Sequence, residues 1–294
     1  MIWRPVGRKG DPIPELPEVE LAARNLRRWA LGHRVAAVHA DRAGARILRP
    51  ASARALQSLV GARFRKVDRL GKNLLITLEG KSGSVGVWSH LGMTGKWLRR
   101  GAGEAAPRFE RVELALDAGG RLCYVDMRLF GRLRLLPGAR FDELPELRGL
   151  PPDPLAHGID AKALGARFAK SRLPVKVALM DQTVVPGVGN IQASEGLWRA
   201  RIDPRRPARS LTATEVRRLA KAVLASFEHT LANFAKTGAA DGNGDVVYVE
   251  EDASKNPFSV YGREGEKCPR GKGGTITRIV QAGRSTFFCP ACQR

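Results

Sequence analysis

The stretch Asn73–Met93, NLLITLEGKSGSVGVWSHLGM, consists of two apolar runs, NLLITLEG and SVGVWSHLGM, divided by turn-forming residues. Leucine, isoleucine, valine and tryptophan fill both runs, and glycine punctuates them, which is the texture of paired strands and not of a helix. The same texture extends outward. RVAAVHA from Arg34, ARFRKVDRL from Ala62, RVELALD from Arg111, RLCYVDM from Arg121 and GRLRLLP from Gly131 are short β-branched or alternating runs. Strands that succeed one another without helices between them pair antiparallel, so an antiparallel β-sandwich is expected here.

The flanks have a different period. Before the strands, Val19, Ala22, Ala23, Leu26, Trp29 and Ala30 recur at helical spacing up to Gly32, with Pro17 placed as the first helical residue. After them, 161–170, 174–182, 191–200 and 212–234 carry helical periodicity, with Thr212 and Glu215 spaced as a capping box. The chain ends in two strand-like runs, TITRIV and STFFC, separated by QAGR. The expected class is α+β multidomain. Residues 1–13 form an unstructured extension, 14–137 a β-sandwich with an N-terminal helix, 138–160 a linker, 161–240 a helical domain, 241–262 a polar loop and connection, and 263–294 a finger-like β-hairpin.

Composition narrows the partners. The 294 residues hold 50 Lys+Arg against 29 Asp+Glu, a formal charge of +21, while 43% hydrophobic content is enough for packed cores. No run of about 18 apolar residues and no signal-peptide stretch is found, so a cytoplasmic protein is expected. The excess charge fits nucleic acid as partner, or the arginine-rich usage of a high-GC genome.

Cys268, Cys289 and Cys292 cluster around the terminal hairpin, whereas Cys123 stands alone in a strand and reads as a small buried apolar residue. The cluster has the spacing of a zinc ribbon that lacks one ligand, because Gly271 stands where the second cysteine of the first knuckle belongs. Either three thiolates hold zinc with an outside ligand, or the hairpin stands without metal.

Six motifs occur in one order: Pro14–Glu20 (PELPEVE), Arg69–Leu74 (RLGKNL), His90–Gly95 (HLGMTG), Asp126–Gly131 (DMRLFG), Met180–Ile191 (MDQTVVPGVGNI) and the GRSTFFC of the hairpin. Together they resemble bacterial formamidopyrimidine-DNA glycosylase, the base-excision enzyme for oxidised purines, across nearly everything from Pro14 to Arg294. The resemblance implies that 14–137 is a catalytic β-sandwich, 161–240 a helix-two-turn-helix DNA-binding domain, 241–262 a lesion-capping loop and connection, and 263–294 a C-terminal zinc finger. It implies further that a monomer acts on double-stranded DNA containing oxidised bases. Leu16 favours the purine-directed branch over the sister endonuclease VIII branch, which begins Pro-Glu-Gly-Pro.

By the same resemblance, Pro14 would attack the sugar carbon as the damaged base leaves, a role suited to a terminal secondary amine. Glu15 would be the neighbouring general acid. Lys72 would contact phosphate and assist β-elimination, and Arg284 would bind phosphate and assist δ-elimination. Met93, Arg128 and Phe130 would fill the space of the flipped nucleotide. Lys170, Lys176 and Asn190 would contact DNA, the last with the free N–H groups of a helix start.

The most serious departure from the family pattern lies before Pro14: thirteen residues precede it, and as written its nitrogen is an amide. A translation start at Ile13, cleavage of the extension, or a lesion-binding protein without lyase chemistry each accommodate this, and the first is favoured. The competing readings of function are therefore a non-catalytic damaged-DNA binder and an oxidised-pyrimidine glycosylase.

Overall fold

A computed structural model describes residues 14–236, 256–271 and 273–294. The extension expected at 1–13 and most of the loop expected at 241–262 lie outside the described residues.

Helix α1 (Leu16–Ala30) leads into β1 (Val35–Ala40), the short helix α2 (Gly44–Ile47) and a 3-10 turn at Ala53–Leu59. Seven strands follow: β2 (Arg63–Leu70), β3 (Asn73–Gly80), β4 (Gly83–His90), β5 (Lys96–Arg100), β6 (Glu110–Leu116), β7 (Arg121–Val125) and β8 (Arg132–Pro137). They form two four-stranded sheets, ordered β1-β6-β7-β5 and β2-β3-β4-β8, antiparallel throughout. The inner faces of both sheets share one core with α1, in which Val19, Leu26 and Trp29 meet Leu74, Ile76, Val87, Leu114 and Leu122.

Two details differ from the sequence expectation. The helix begins at Leu16, one residue before Pro17, because Glu15 and Glu18 form a capping box that starts it. Strand β5 gives little alternation signal, since its adjacent Trp97 and Leu98 face opposite sides and are both buried. Trp97 enters the sandwich core, and Leu98 joins Cys123 and Val125 in a small outer cluster. Cys123 is thus a buried packing residue, as expected.

The second half is helical: α3 (Pro154–His157), α4 (Ala161–Ala169), α5 (Val175–Leu179), α6 (Asn190–Ala200) and α7 (Ala213–Lys236). The capping box at α7 is present, with Glu215 N–H donating to Thr212 Oγ1 at 3.2 Å and Thr212 N–H donating to Glu215 Oε2 at 2.8 Å. Strands β9 (Thr277–Gln281) and β10 (Arg284–Phe288) make the terminal hairpin. Among the described residues, no helix is long and apolar enough to cross a membrane.

The halves are pinned together at the start of α1. Leu16 packs into the helical core and not the sandwich core, and its N–H donates to Gly187 O at 3.0 Å. Nearby, Arg69 of β2 bridges Glu20 of α1 and Asp153 ahead of α3, with all three side chains largely buried. This orders the boundary at which the sequence motifs converge.

Candidate active site

Glu15 is 2% exposed, and its carboxylate sits at the N-terminus of α6. Oε2 accepts the N–H groups of Gly189 at 2.9 Å and Gln192 at 3.0 Å, and Oε1 accepts that of Ile191 at 2.8 Å. A helix start supplies unpaired N–H groups and a positive dipole end, so it is a natural seat for a carboxylate. The fit requires glycine: a Cβ on Gly189 would lie 2.5 Å from Glu15 Cδ. Burial pushes the Glu15 pKa up, opposed by Lys72 and the three amides. Glu18 accepts the Glu15 N–H at 2.9 Å, and burial together with the Glu15 charge raises its pKa to about 8. Pro14, the residue before Glu15, is buried.

Lys72 occupies the two-residue turn between β2 and β3, where Leu70 pairs with Asn73 and Gly71 takes φ +56°. Both backbone polar groups of Gly71 are held. Its N–H donates to Asp153 Oδ2 at 2.9 Å, and its carbonyl accepts from Arg69 at 3.3 Å. A Cβ here would strike Pro186 and the Gly187 nitrogen at 2.9 Å, so the turn lies tightly on the loop that feeds α6. Burial lowers the Lys72 pKa. Repulsion from Arg284 adds to this, and Glu15 and Glu18 oppose it.

Gln182 shapes that loop from within, donating to Met180 O and Val188 O at 2.8 Å each and accepting the Gly187 N–H at 2.9 Å. Lys176 is fully buried; its Nζ donates to Asn190 Oδ1 and, at 3.4 Å, to Ser285 O of the hairpin. Burial lowers its pKa to about 8, with Arg284 adding and Glu15 opposing. The Asn190 amide in turn donates to the Tyr261 hydroxyl at 3.2 Å. Glu195, one turn and a half along α6, accepts the N–H groups of Ser259, Val260 and Tyr261 at 2.8–3.1 Å, which fixes the Tyr261 segment.

Arg284 follows the hairpin turn Ala282–Gly283, where φ is +47° and +73°; two positive values in a two-residue loop match the twist of the flanking strands. The turn delivers Arg284 to a cleft of about 760 Å³ whose lining also includes Lys72, His90, Arg132, Gln182 and Gly189. His90 accepts the Gly92 N–H at 3.1 Å, and burial aided by Lys72 and Arg132 lowers its pKa to about 4, so its ring is neutral.

Met93, Arg128 and Phe130 lie on two loops in mutual contact, since a Cβ on Gly92 would come within 2.5 Å of the Phe130 carbonyl. Phe130 is 53% exposed, and the Arg128 guanidinium stands 5.2 Å from its ring centre. The buried Asp126 shapes this loop, its carboxylate accepting from Thr94, Arg128 N–H at 3.1 Å and Gly131 N–H at 2.8 Å. Lys170 is the exposed C-cap of α4 and does not line the cleft. The sequence reading did not single out Asp126, Asp153, Gln182, Glu195 or Tyr261. Asp126 and Gln182 fall inside quoted motifs, which was the available signal for them, whereas the other three carry none.

The sulfur atoms of Cys268, Cys289 and Cys292 lie within 4.8 Å of one another, with Cys268 and Cys292 at 3.7 Å. Four thiolates about 2.3 Å from a tetrahedral zinc would be separated by about 3.8 Å, so these residues fit three corners of such a site. Gly271 supplies no side-chain donor, and among the described residues only these three cysteines offer ligand atoms to such a site.

Three family models match in succession: the formamidopyrimidine-DNA glycosylase N-terminal domain over residues 13–133, the formamidopyrimidine-DNA glycosylase H2TH domain over 150–239, and the zinc finger found in FPG and IleRS over 265–294. The formamidopyrimidine-DNA glycosylase of Paracoccus denitrificans is 41% identical, and that of Rhodospirillum centenum 40%, each match covering 96% of this chain and 100% of the relative. Among solved structures, Lactococcus lactis Fpg bound to abasic-site DNA superposes with a TM-score of 0.81 at 28% identity, covering 95% of this chain and 99% of that one. MutM bound to carbocyclic 8-oxo-G DNA superposes at 0.80 with 29% identity, covering 96% and 100%.

Proposed function

The chain belongs to the formamidopyrimidine-DNA glycosylase family, and from that premise we propose that it is a base-excision-repair glycosylase and abasic-site lyase that removes oxidised purines from duplex DNA. The observation that carries the proposal is the convergence of Lys72 and Arg284, from separate parts of the chain, on one boundary cleft, with Glu15 seated behind the Gly189 that lines it. A duplex laid across that cleft meets Lys72, Arg132 and Arg284, and counterion release then makes its binding steeply dependent on salt.

Each residue has a task that its surroundings support. Glu15, next to Pro14 and pushed up in pKa by burial, is the carboxyl that would pass a proton to the sugar. Lys72, lowered in pKa, gives up a proton more readily than a surface lysine and serves the elimination. Lys176 acts behind Asn190, orienting its amide toward phosphate. Exposed Phe130 and the Met93 loop enter the space that the flipped base leaves, and the Arg128 guanidinium meets the orphaned partner base. Zinc, held by Cys268, Cys289 and Cys292, would brace the base of the hairpin whose turn carries Arg284.

Covalent catalysis falls to Pro14 as a secondary amine. Its nitrogen forms a bond to C1′ of the sugar as the base leaves with the glycosidic electron pair, and the amine loses its proton; the C1′–O4′ bond then breaks, O4′ keeping its electron pair and taking a proton from Glu15, which leaves the iminium Schiff base. The family match begins at residue 13, which supports reading Pro14 as the working terminus. Borohydride trapping on an 8-oxoguanine duplex, combined with N-terminal mass spectrometry of the native protein, tests this. A covalent adduct on a chain beginning at Pro14 is expected. Tight lesion binding by a chain that retains residues 1–13 and gives no adduct would establish the second reading, a damaged-DNA binder, which the amide nitrogen of Pro14 in the written sequence favours.

A further inference from the structure

The opposite end of α6 carries a second basic site. Eleven residues at about 1.5 Å each separate the Glu15 seat from the last turn of this helix, roughly 16 Å away. There a pocket of about 450 Å³ opens between the helical domain and the knuckle of the hairpin, lined by Arg199, Arg201 and Arg218 from one side and Arg270 and Arg294 from the other. Glu215 is the one acidic side chain in the lining, and Arg206 already holds both its oxygens, at 2.6 and 3.0 Å.

Part of this cluster is explained by the helix itself. Arg218 Nε donates to Ala200 O at 2.6 Å and Arg270 Nη2 to Arg199 O at 3.1 Å, satisfying carbonyls at the negative end of the dipole, and Arg199 pairs with Glu195 at 2.8 Å. The remainder is not so explained. Arg270 Nη1 is buried with no hydrogen-bond partner among the described residues, and its guanidinium is held 4.3 Å from the Trp198 ring centre. Arg201 and Arg294 have neither a side-chain hydrogen bond nor an ion pair among the described residues. Arg201, Arg218, Arg270 and Arg294 thus face one concavity with no ion-pair partner of their own among the described residues and repel one another, and a buried N–H without an acceptor adds its own cost.

We propose that this pocket binds a compact polyphosphate anion, bridging the helical domain and the hairpin. Guanidinium forks match phosphoryl oxygens two at a time, and the volume accommodates a chain of two or three phosphates. The lining presents no aromatic face for a base, so the phosphate chain itself is what the pocket recognises. Inorganic polyphosphate and a nucleotide both carry such a chain.

The test titrates sodium tripolyphosphate, by calorimetry, into the full-length protein already saturated with a lesion duplex, so that the DNA cleft is occupied. One tripolyphosphate per chain is expected. The Arg201→Ala/Arg294→Ala double variant should bind it at least about tenfold more weakly, with duplex affinity and thermal midpoint unchanged. Should that variant unfold, Arg201→Lys/Arg294→Lys, which keeps the charge and removes the forks, should show the same direction of loss. A parallel titration with ATP separates the sources: equal affinity assigns the phosphate chain alone, and tighter binding assigns a nucleotide. Equal tripolyphosphate binding by wild type and variants, or a signal that vanishes when duplex is present, would overturn the proposal.

Discussion

The two ends of α6 receive opposite charges, and the environment makes different use of each. At the first turn a single carboxylate, Glu15, is enclosed and bonded to three amides within 3.0 Å. At the last turn Arg218 and Arg270 reach the carbonyls of Ala200 and Arg199 from a pocket that stays open. The dipole sets the sign at both ends, but desolvation sets how much each charge is worth. The enclosed end shifts the pKa values of its neighbours, and the open end gathers arginines.

The strongest way to break this contrast is Glu15→Gln. The side chain keeps its shape but loses the proton it is proposed to deliver, and single-turnover excision on a lesion duplex should fall by about 10²–10⁴-fold with the circular dichroism spectrum unchanged. Excision at wild-type rate would remove Glu15 from the chemistry. Next in size is Gly189→Ala. Its new methyl meets Glu15 Cδ at 2.5 Å, and urea denaturation should show a loss of about 1–3 kcal/mol together with slower excision.

A third prediction concerns pH. Glu18 titrates near 8 when folded, against 4.5 for an unperturbed glutamate, so between those values the folded chain binds the extra proton. Stability then falls as pH rises across that window, by up to about 1.4 kcal/mol per unit. Glu18→Gln should flatten the slope in denaturation series from pH 5 to 8, and an unchanged slope would show that Glu18 is ionised in the fold. The smallest effect belongs to the open end: Arg218→Ala should cost about 0.5–1 kcal/mol in thermal denaturation and leave excision intact.

Much of the site was legible as motif and little of it as geometry. PELPEVE placed Pro14 and Glu15, but nothing in its letters showed that Glu15 would cap α1 through Glu18 while its own carboxylate capped α6, 174 residues away. Lys176 read as a lysine for DNA, and the fold buries it behind Asn190. Asp153 lies in a proline-rich stretch that reads as a linker, yet it clamps the Lys72 turn through Arg69 and Gly71. These roles depend on partners distant in sequence, and a local pattern carries no record of such partners.

By itself the sequence determined the antiparallel sandwich, the helical half, the cysteine cluster with its missing ligand at Gly271, and the basic character that points to DNA. Side-chain period, turn residues and charge are properties of neighbouring residues, so they can be read along the chain. Tertiary structure alone decided that Leu16 leaves the sandwich core that the rest of α1 joins for the helical one, that three segments meet at one cleft, and that five arginines gather at the far end of α6. Those outcomes follow from burial, and which groups lose water together is set when the two halves pack.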